Sequence, residues 1–126
     1  MPYIEGFVIP VPTAAKQAFI DCALSVDGKF IEWGATRVLE CWGDDVPEGK
    51  LTDFRRAVQA KDDETVVFSW IEWPDKATRD RGHAMWSDPE VMADPAFDPI
   101  RNPPPFDGKR MIFGGFEAIV QLGEQV

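Results

Sequence analysis

Four runs of β-branched and aromatic residues punctuate the chain, and the spacing between them restricts the fold more than any other feature. YIEGFVI at 3–9 stops at Pro10, and ATRVLECWG at 35–43 runs into turn residues. TVVFSWIEW at 65–73 stops at Pro74, and MIFGGFEAIV at 111–120 closes the series. Each reads as a strand, because such side chains suit a pleated, half-buried surface. Between the first two, Phe19, Ala23, Val26, Phe30 and Trp33 recur at steps of four and three, which is one apolar stripe on a helix. Thr13 is the expected N-cap and Gly34 the expected glycine just past the end. Gly28 costs ~1 kcal/mol relative to alanine and marks where that helix would break. Asp75 is placed to cap a second helix running to about Trp86, and Ser87-Asp88-Pro89 stops it. Residues 53–60 are a short helix or a continuing strand; Phe54 and Val58, four apart, favour helix. The proline-rich stretch 94–108 reads as a stiff extended loop, and the tail beyond Leu122 is expected to fray.

The order is therefore β-α-β-β-α-β. It predicts an α+β, ferredoxin-like fold: a four-stranded antiparallel sheet with both helices on one face. A chain of 126 residues holds one such domain, spanning 1–126. Thirteen basic against 22 acidic residues give a net charge of −9. Phosphate backbones and anionic lipid surfaces repel such a chain, so nucleic acid and membranes are excluded as expected partners. No apolar run approaches the ~20 residues that span a bilayer, and MPYIEGFVIP lacks the marks of a secretory leader. Cys22 and Cys41, the two cysteines, fit a reducing compartment, so a cytoplasmic location is expected. His83 stands alone, and no H-x-x-x-H or C-x-x-C spacing occurs. Neither a metal nor a permanent cofactor is expected; the Asp44-Asp45 turn offers too few oxygens to hold a cation.

Side chains alternate along a strand, so each strand divides by parity. One set is mostly aliphatic or small: Ile4, Gly6 and Val8, then Leu39 and Cys41, then Val67, Ser69 and Ile71, then Ile112, Gly114, Phe116 and Ala118. It is assigned to the helix-packed face. The other set holds Tyr3, Glu5 and Phe7, then Val38, Glu40 and Trp42, then Phe68, Trp70 and Glu72, then Phe113, Gly115, Glu117 and Ile119. Large rings with one glutamate per strand make too large a patch for a lone monomer and too charged a set for a dry core. The second set is therefore assigned to the open face, covered by a second copy of the same sheet. The expectation is a homodimer with an aromatic, acid-rimmed cleft between two facing sheets.

Four segments also carry a family likeness: YIEGFVIPVP at 3–12, ECWGDDVPEGKLTDFRRAV at 40–58, VVFSWIEWP at 66–74 and PFDGKRMIFGGFEAIV at 105–120. On them the chain resembles the YbaA-like family of uncharacterised bacterial proteins, a domain-of-unknown-function group within the dimeric α/β-barrel superfamily. The resemblance runs over about residues 3–120. It implies the same fold and a dimer, and it implies no activity. The second helix and the proline-rich loop depart from the family pattern, so His83 and Trp86 inherit nothing from it.

Within the expected cleft, a small, partly apolar organic ligand is predicted. Trp42, Phe68, Trp70, Phe7 and Phe113 would wall it, and Arg55, Lys109 and Arg110 would grip an acidic group. Glu40 and Glu72, flanked by Trp42 and Trp70, are candidate acid–base carboxyls, because an aromatic wall raises a carboxyl pKa by desolvation. His83 is the other candidate base. If these groups act, the chain is a cofactor-independent monooxygenase- or isomerase-like enzyme. If the face is only a seam, it is a structural dimer without a ligand site. Cys22 and Cys41 read as small buried hydrophobes.

Overall fold

The computed structural model describes residues 1–123. Its elements are β1 (Tyr3–Pro12), α1 (Lys16–Glu32), β2 (Arg37–Trp42), α2 (Phe54–Ala57), β3 (Glu64–Trp73), α3 (Lys76–Ala84), α4 (Pro89–Met92) and β4 (Ile112–Glu117). The strands form one sheet in the order β2-β3-β1-β4, and every neighbouring pair is antiparallel. This is the ferredoxin-like sheet that the order of segments predicts. Residues 124–126, part of the tail expected to fray, lie outside the described residues.

Local chemistry explains most of the boundaries. β1 runs past Pro10 to Pro12 because its pairing with β4 stops at Val8, and beyond that point it is an edge, where proline is tolerated. Thr13 does not cap α1. A single 3-10 turn, Thr13–Ala15, comes first, and the Thr13 hydroxyl is taken by Thr65 Oγ1 at 2.7 Å. Gly34 ends the helix at φ +110°, where only glycine is unstrained. α1 passes through Gly28 without a break. Asp53, Asp75 and Asp88 cap α2, α3 and α4 by accepting from the amides of Arg56, Thr78 and Glu90. β4 ends at Glu117, so Ala118 and Ile119 lie beyond it.

The assignment of faces is corrected strand by strand. The parity assigned to β3 holds: Val67, Ser69 and Ile71, with Trp73, lie under the helices, while Phe68 and Trp70 wall the open face. In β1, β2 and β4 it is inverted. Tyr3 pairs with Trp73, Glu5 with Ile71 and Phe7 with Ser69, so these β1 residues lie on the helix side. Val38, Glu40 and Trp42 follow through their pairing with Ile71, Ser69 and Val67, and Phe113, Gly115 and Glu117 through β1. Parity is a property of one strand, whereas the phase between strands is set by register. The helix side also takes rings readily. Phe30 meets Trp73 edge-on at 6.1 Å, Trp33 meets Trp86 at 4.8 Å, and glycine at 82 leaves room where a Cβ would stand 2.6 Å from the Trp73 ring.

The proline-rich arm returns to β4 through an ion-pair anchor. Arg110 donates to both oxygens of Glu64, 2.7 Å each, and Nε of the same guanidinium reaches Asp107 at 3.1 Å. Arg110 also donates to the Gln59 carbonyl. The Arg110 guanidinium holds the Glu64 carboxyl down to about 2, from 4.5. A lowered carboxyl stabilises the fold above its unfolded pKa and loses that contribution as pH falls toward the folded one. Glu64→Gln is therefore expected to weaken the fold at pH 7 by roughly 2–3 kcal/mol, less than a fully enclosed pair because Arg110 has a wet edge. Urea melts of the two proteins should converge between pH 4.5 and about 2.

Candidate functional site

Two concave regions lie on opposite sides of the sheet, and they differ in chemistry. On the open face, Ile4, Val8, Phe68, Trp70, Ile112 and Phe116 wall an apolar groove of about 580 Å³. Phe68, Ile112 and Phe116 remain 41%, 45% and 60% exposed there. Glu72 is the carboxyl on this face; it accepts from Trp70 Nε1 at 3.1 Å and stands 3.7 Å from Arg37 Nε. The open face is thus far less acidic than parity alone suggests.

On the helix side, α1 arches over the sheet and leaves a cavity of about 210 Å³. Its walls are apolar, from Phe7, Phe19, Phe30 and Ile71 to Phe106 and Met111 of the returning arm. Asp27, Glu40, Ser69 and Cys22 break that lining. A second, outer groove of about 560 Å³ lies between α1 and β2, and Asp27 and Glu40 line it as well. The two carboxyls therefore stand where cavity and groove meet.

Three elements bring these groups together. Asp27 follows Ala23 by four residues, on the sheet-facing side of α1. Glu40 on β2 lies directly across from Ser69 on β3. Ser69 is only 2% exposed, whereas Glu40 opposite it is exposed. Burial pushes the Asp27 carboxyl up to about 8, and hydrogen bonding with Glu40 and their like charge push the same way. The Cys22 thiol is raised by burial first, then by Asp27 and Glu40.

A second polar cluster fastens α3 to the sheet. Trp73 Nε1 donates to Glu5 Oε1 at 2.8 Å, and His83 Nε2 lies 2.8 Å from the same oxygen. Arg79 donates to the Tyr3 hydroxyl at 2.9 Å and stacks over its ring. Neither the cavity nor the grooves described above include His83 in their lining.

The residues singled out from sequence are therefore distributed over several places. Glu40 lines the helix-side cavity, with Trp42 beside it in the outer groove, where the Lys16 ammonium stands 5.4 Å over the ring. Glu72 is on the opposite face and His83 is on α3, so the three acid–base candidates do not converge. Phe68 and Trp70 wall the open groove, and Phe7 and Phe113, stacked at 6.3 Å, also line it at the β4 edge. Arg55 donates to the carbonyls of Glu64 and Lys61, and Arg110 is in the anchor, so both cations serve the base of β3. Lys109 is exposed, next to that anchor. The sequence reading gave Asp27 and Ser69 no site role, although each left a trace: Asp27 is a carboxylate on an apolar helical stripe, and Ser69 is a small polar residue between large apolar ones in β3. Among the described residues, no cluster of three or more His, Cys, Asp or Glu is arranged to hold a metal ion, and no helix is long and apolar enough to cross a membrane.

Comparison with known proteins adds family and fold. The chain is 48% identical over 120 residues to the uncharacterized protein YbaA of Escherichia coli K12, covering 95% of this chain and 98% of that one. The same identity and coverage hold for YbaA of Shigella flexneri. Among solved structures, it is similar to a dimeric ferredoxin-like protein from an uncultured marine organism. The TM-score is 0.53 over 98% of this chain and 100% of that one, at 12% identity, a likeness that speaks for the fold alone. A family model described as protein of unknown function, DUF1428, matches residues 2–108, and with the YbaA likeness it shows that the chain belongs to that family.

Proposed function

We propose that this protein is a cytoplasmic homodimer that binds a small organic molecule, each copy holding its ligand between α1 and the sheet. The observation that carries the reading is the group formed by Asp27, Glu40 and Ser69 on the wall of an otherwise apolar cavity. A folding core gains nothing from a half-buried carboxyl set beside a second acid and a buried hydroxyl, whereas a binding site uses such groups to orient a ligand. Self-association is supported by the exposed apolar residues of the open face, Phe68, Ile112 and Phe116, and by the dimeric state of the ferredoxin-like neighbour. Two free cysteines support a reducing compartment. The cleft between facing sheets remains a second place for a ligand, walled by Phe68 and Trp70. With its one glutamate there already engaged, it has fewer polar groups to offer.

The test is proton NMR of the labelled protein with benzene at millimolar concentration. Shifts confined to Phe19, Phe30, Ile71 and Met111 support the cavity. Shifts confined to Phe68, Trp70 and Phe116 move the site to the open face, and no shifts at all refute ligand binding. One observation also favours a catalytic reading. An Asp27 carboxyl titrating near 8 can give and take a proton at neutral pH, as a cofactor-independent isomerase would require. Solvent deuterium entering a bound ketone in wild type but not in Asp27→Asn would establish it.

A further inference from the structure

We propose that the ligand of the helix-side cavity is a protonated organic amine with a small aromatic or apolar body, its ammonium seated among Asp27, Glu40 and Ser69. This rests on the cavity being the ligand site and goes further by naming the chemistry of what enters. An ammonium has three N–H donors and no acceptor. The cavity wall presents three acceptor groups from three different elements: a carboxyl from α1, a carboxyl from β2 and the buried hydroxyl from β3. A bound alcohol would bring no charge to offset Glu40, and a bound carboxylate would set a further negative charge beside it. A cation is the one charge type that relieves the pair.

The surroundings agree in size and in charge. A dry cavity of about 150 Å³ takes up benzene. The 210 Å³ here accommodates one ring and a two-carbon arm. The titratable groups facing Asp27 are Glu40 from β2 and, on α1, Cys22 and Lys16. The parts of β1, β3 and the arm that line the cavity bring Phe7, Ile9, Ser69, Ile71, Phe106 and Met111, none of which titrates. Lys16 belongs to the outer groove and stands over Trp42, so the chain's own cation does not line the inner cavity. The rings of Phe19 and Phe30 add faces that attract a cation. The Asp27 proton, retained up to about pH 8, must leave when an ammonium arrives. Binding should therefore release protons below pH 8 and tighten as pH rises toward 8.

Titration calorimetry of the full chain with 2-phenylethylamine, 2-phenylethanol and 3-phenylpropionate separates the possibilities. At pH 7 the amine is expected to bind at least tenfold more tightly than the alcohol, and the carboxylate not to bind. Heats measured in two buffers of different ionisation enthalpy should report close to one proton released per amine. Asp27→Asn should abolish that release and remove most of the amine's advantage while still binding the alcohol. Ser69→Ala, a milder change, should weaken the amine severalfold, and circular dichroism checks that both variants fold. Equal binding of amine and alcohol, or preference for the carboxylate, overturns the ammonium assignment and leaves the cavity as a ligand site. If none of the three probes binds at millimolar concentration, the cavity reading and this inference fall together.

Discussion

Asp27→Asn is expected to stabilise the protein at pH 8, on the order of 2–4 kcal/mol, and to leave its stability at pH 4 nearly unchanged. The sign follows from linkage. The Asp27 carboxyl is pushed from 3.8 up to about 8 in the folded state. Between those values the unfolded chain has lost a proton that the folded chain still holds. Stability therefore falls as pH rises through that window, by about 1.4 kcal/mol per pH unit. Above about 8 the loss is complete. Asparagine keeps a donor for Glu40 and never ionises, so the variant avoids this loss. The full window would give a larger figure, but water from the outer groove reaches Asp27 and reduces it. Urea melts of both proteins at pH 4, 6 and 8 decide the matter. Equal stability at pH 8 would mean that the carboxyl ionises freely, and the case for a strained acid pair would end there. Glu64 slopes the other way, since its contribution is present above 4.5 and lost toward 2. The summed contribution of these two groups alone is most favourable near pH 4–5.

Phe116→Asp is expected to convert the proposed dimer into monomers, raising its dissociation constant at least 100-fold. Phe116 projects from β4 into the open groove beside Ile4 and Trp70 and is 60% exposed in the single chain. Two-fold packing of this face would bury the new carboxylate once per copy, without a partner of opposite charge for either. Because Phe116 contributes little to its own chain's core, the monomer should still melt cooperatively. Phe54, which meets Phe68 edge-on at 5.9 Å from α2, extends the same surface. Leu24→Asp, on the solvent-facing side of α1, is the control and should leave association unchanged. Sedimentation velocity from 1 to 100 µM reads the result. A wild type that stays monomeric at 100 µM, or a Phe116→Asp variant that stays dimeric, would refute the assembly.

The elements of this fold were legible because each carries its own punctuation. Pro74 and Asp75 separate β3 from α3, Gly34 closes α1, and the four-and-three spacing from Phe19 to Trp33 marks a sheet-facing stripe. The phase between strands was not legible. Nothing within YIEGFVI states that Tyr3 pairs with Trp73; that register comes from tertiary packing, and a shift of one residue exchanges the faces. The rule that large rings mark an open face failed at Trp42 and Phe7 because α1 and the arm bring rings of their own to meet them. Glu40 was paired in sequence with Glu72 on β3, whereas the carboxyl beside it is Asp27 on α1. A pair formed between a helix and a strand has no spacing to betray it.

The outer rim of β4 carries a different consequence. Gly115 has no room for a Cβ, which would stand 2.2 Å from the Tyr3 hydroxyl, and Gly114 lies close under the Phe116 ring. The middle of this edge strand therefore cannot take the lysine or proline that sheet proteins use to deter uninvited pairing. Ile112, Phe113 and Phe116 leave its flanks apolar as well. What holds separate molecules apart is the overall charge of −9, a long-range repulsion that dissolved ions screen. Added salt is therefore expected to favour edge-to-edge association through β4, which light scattering followed against salt concentration would read.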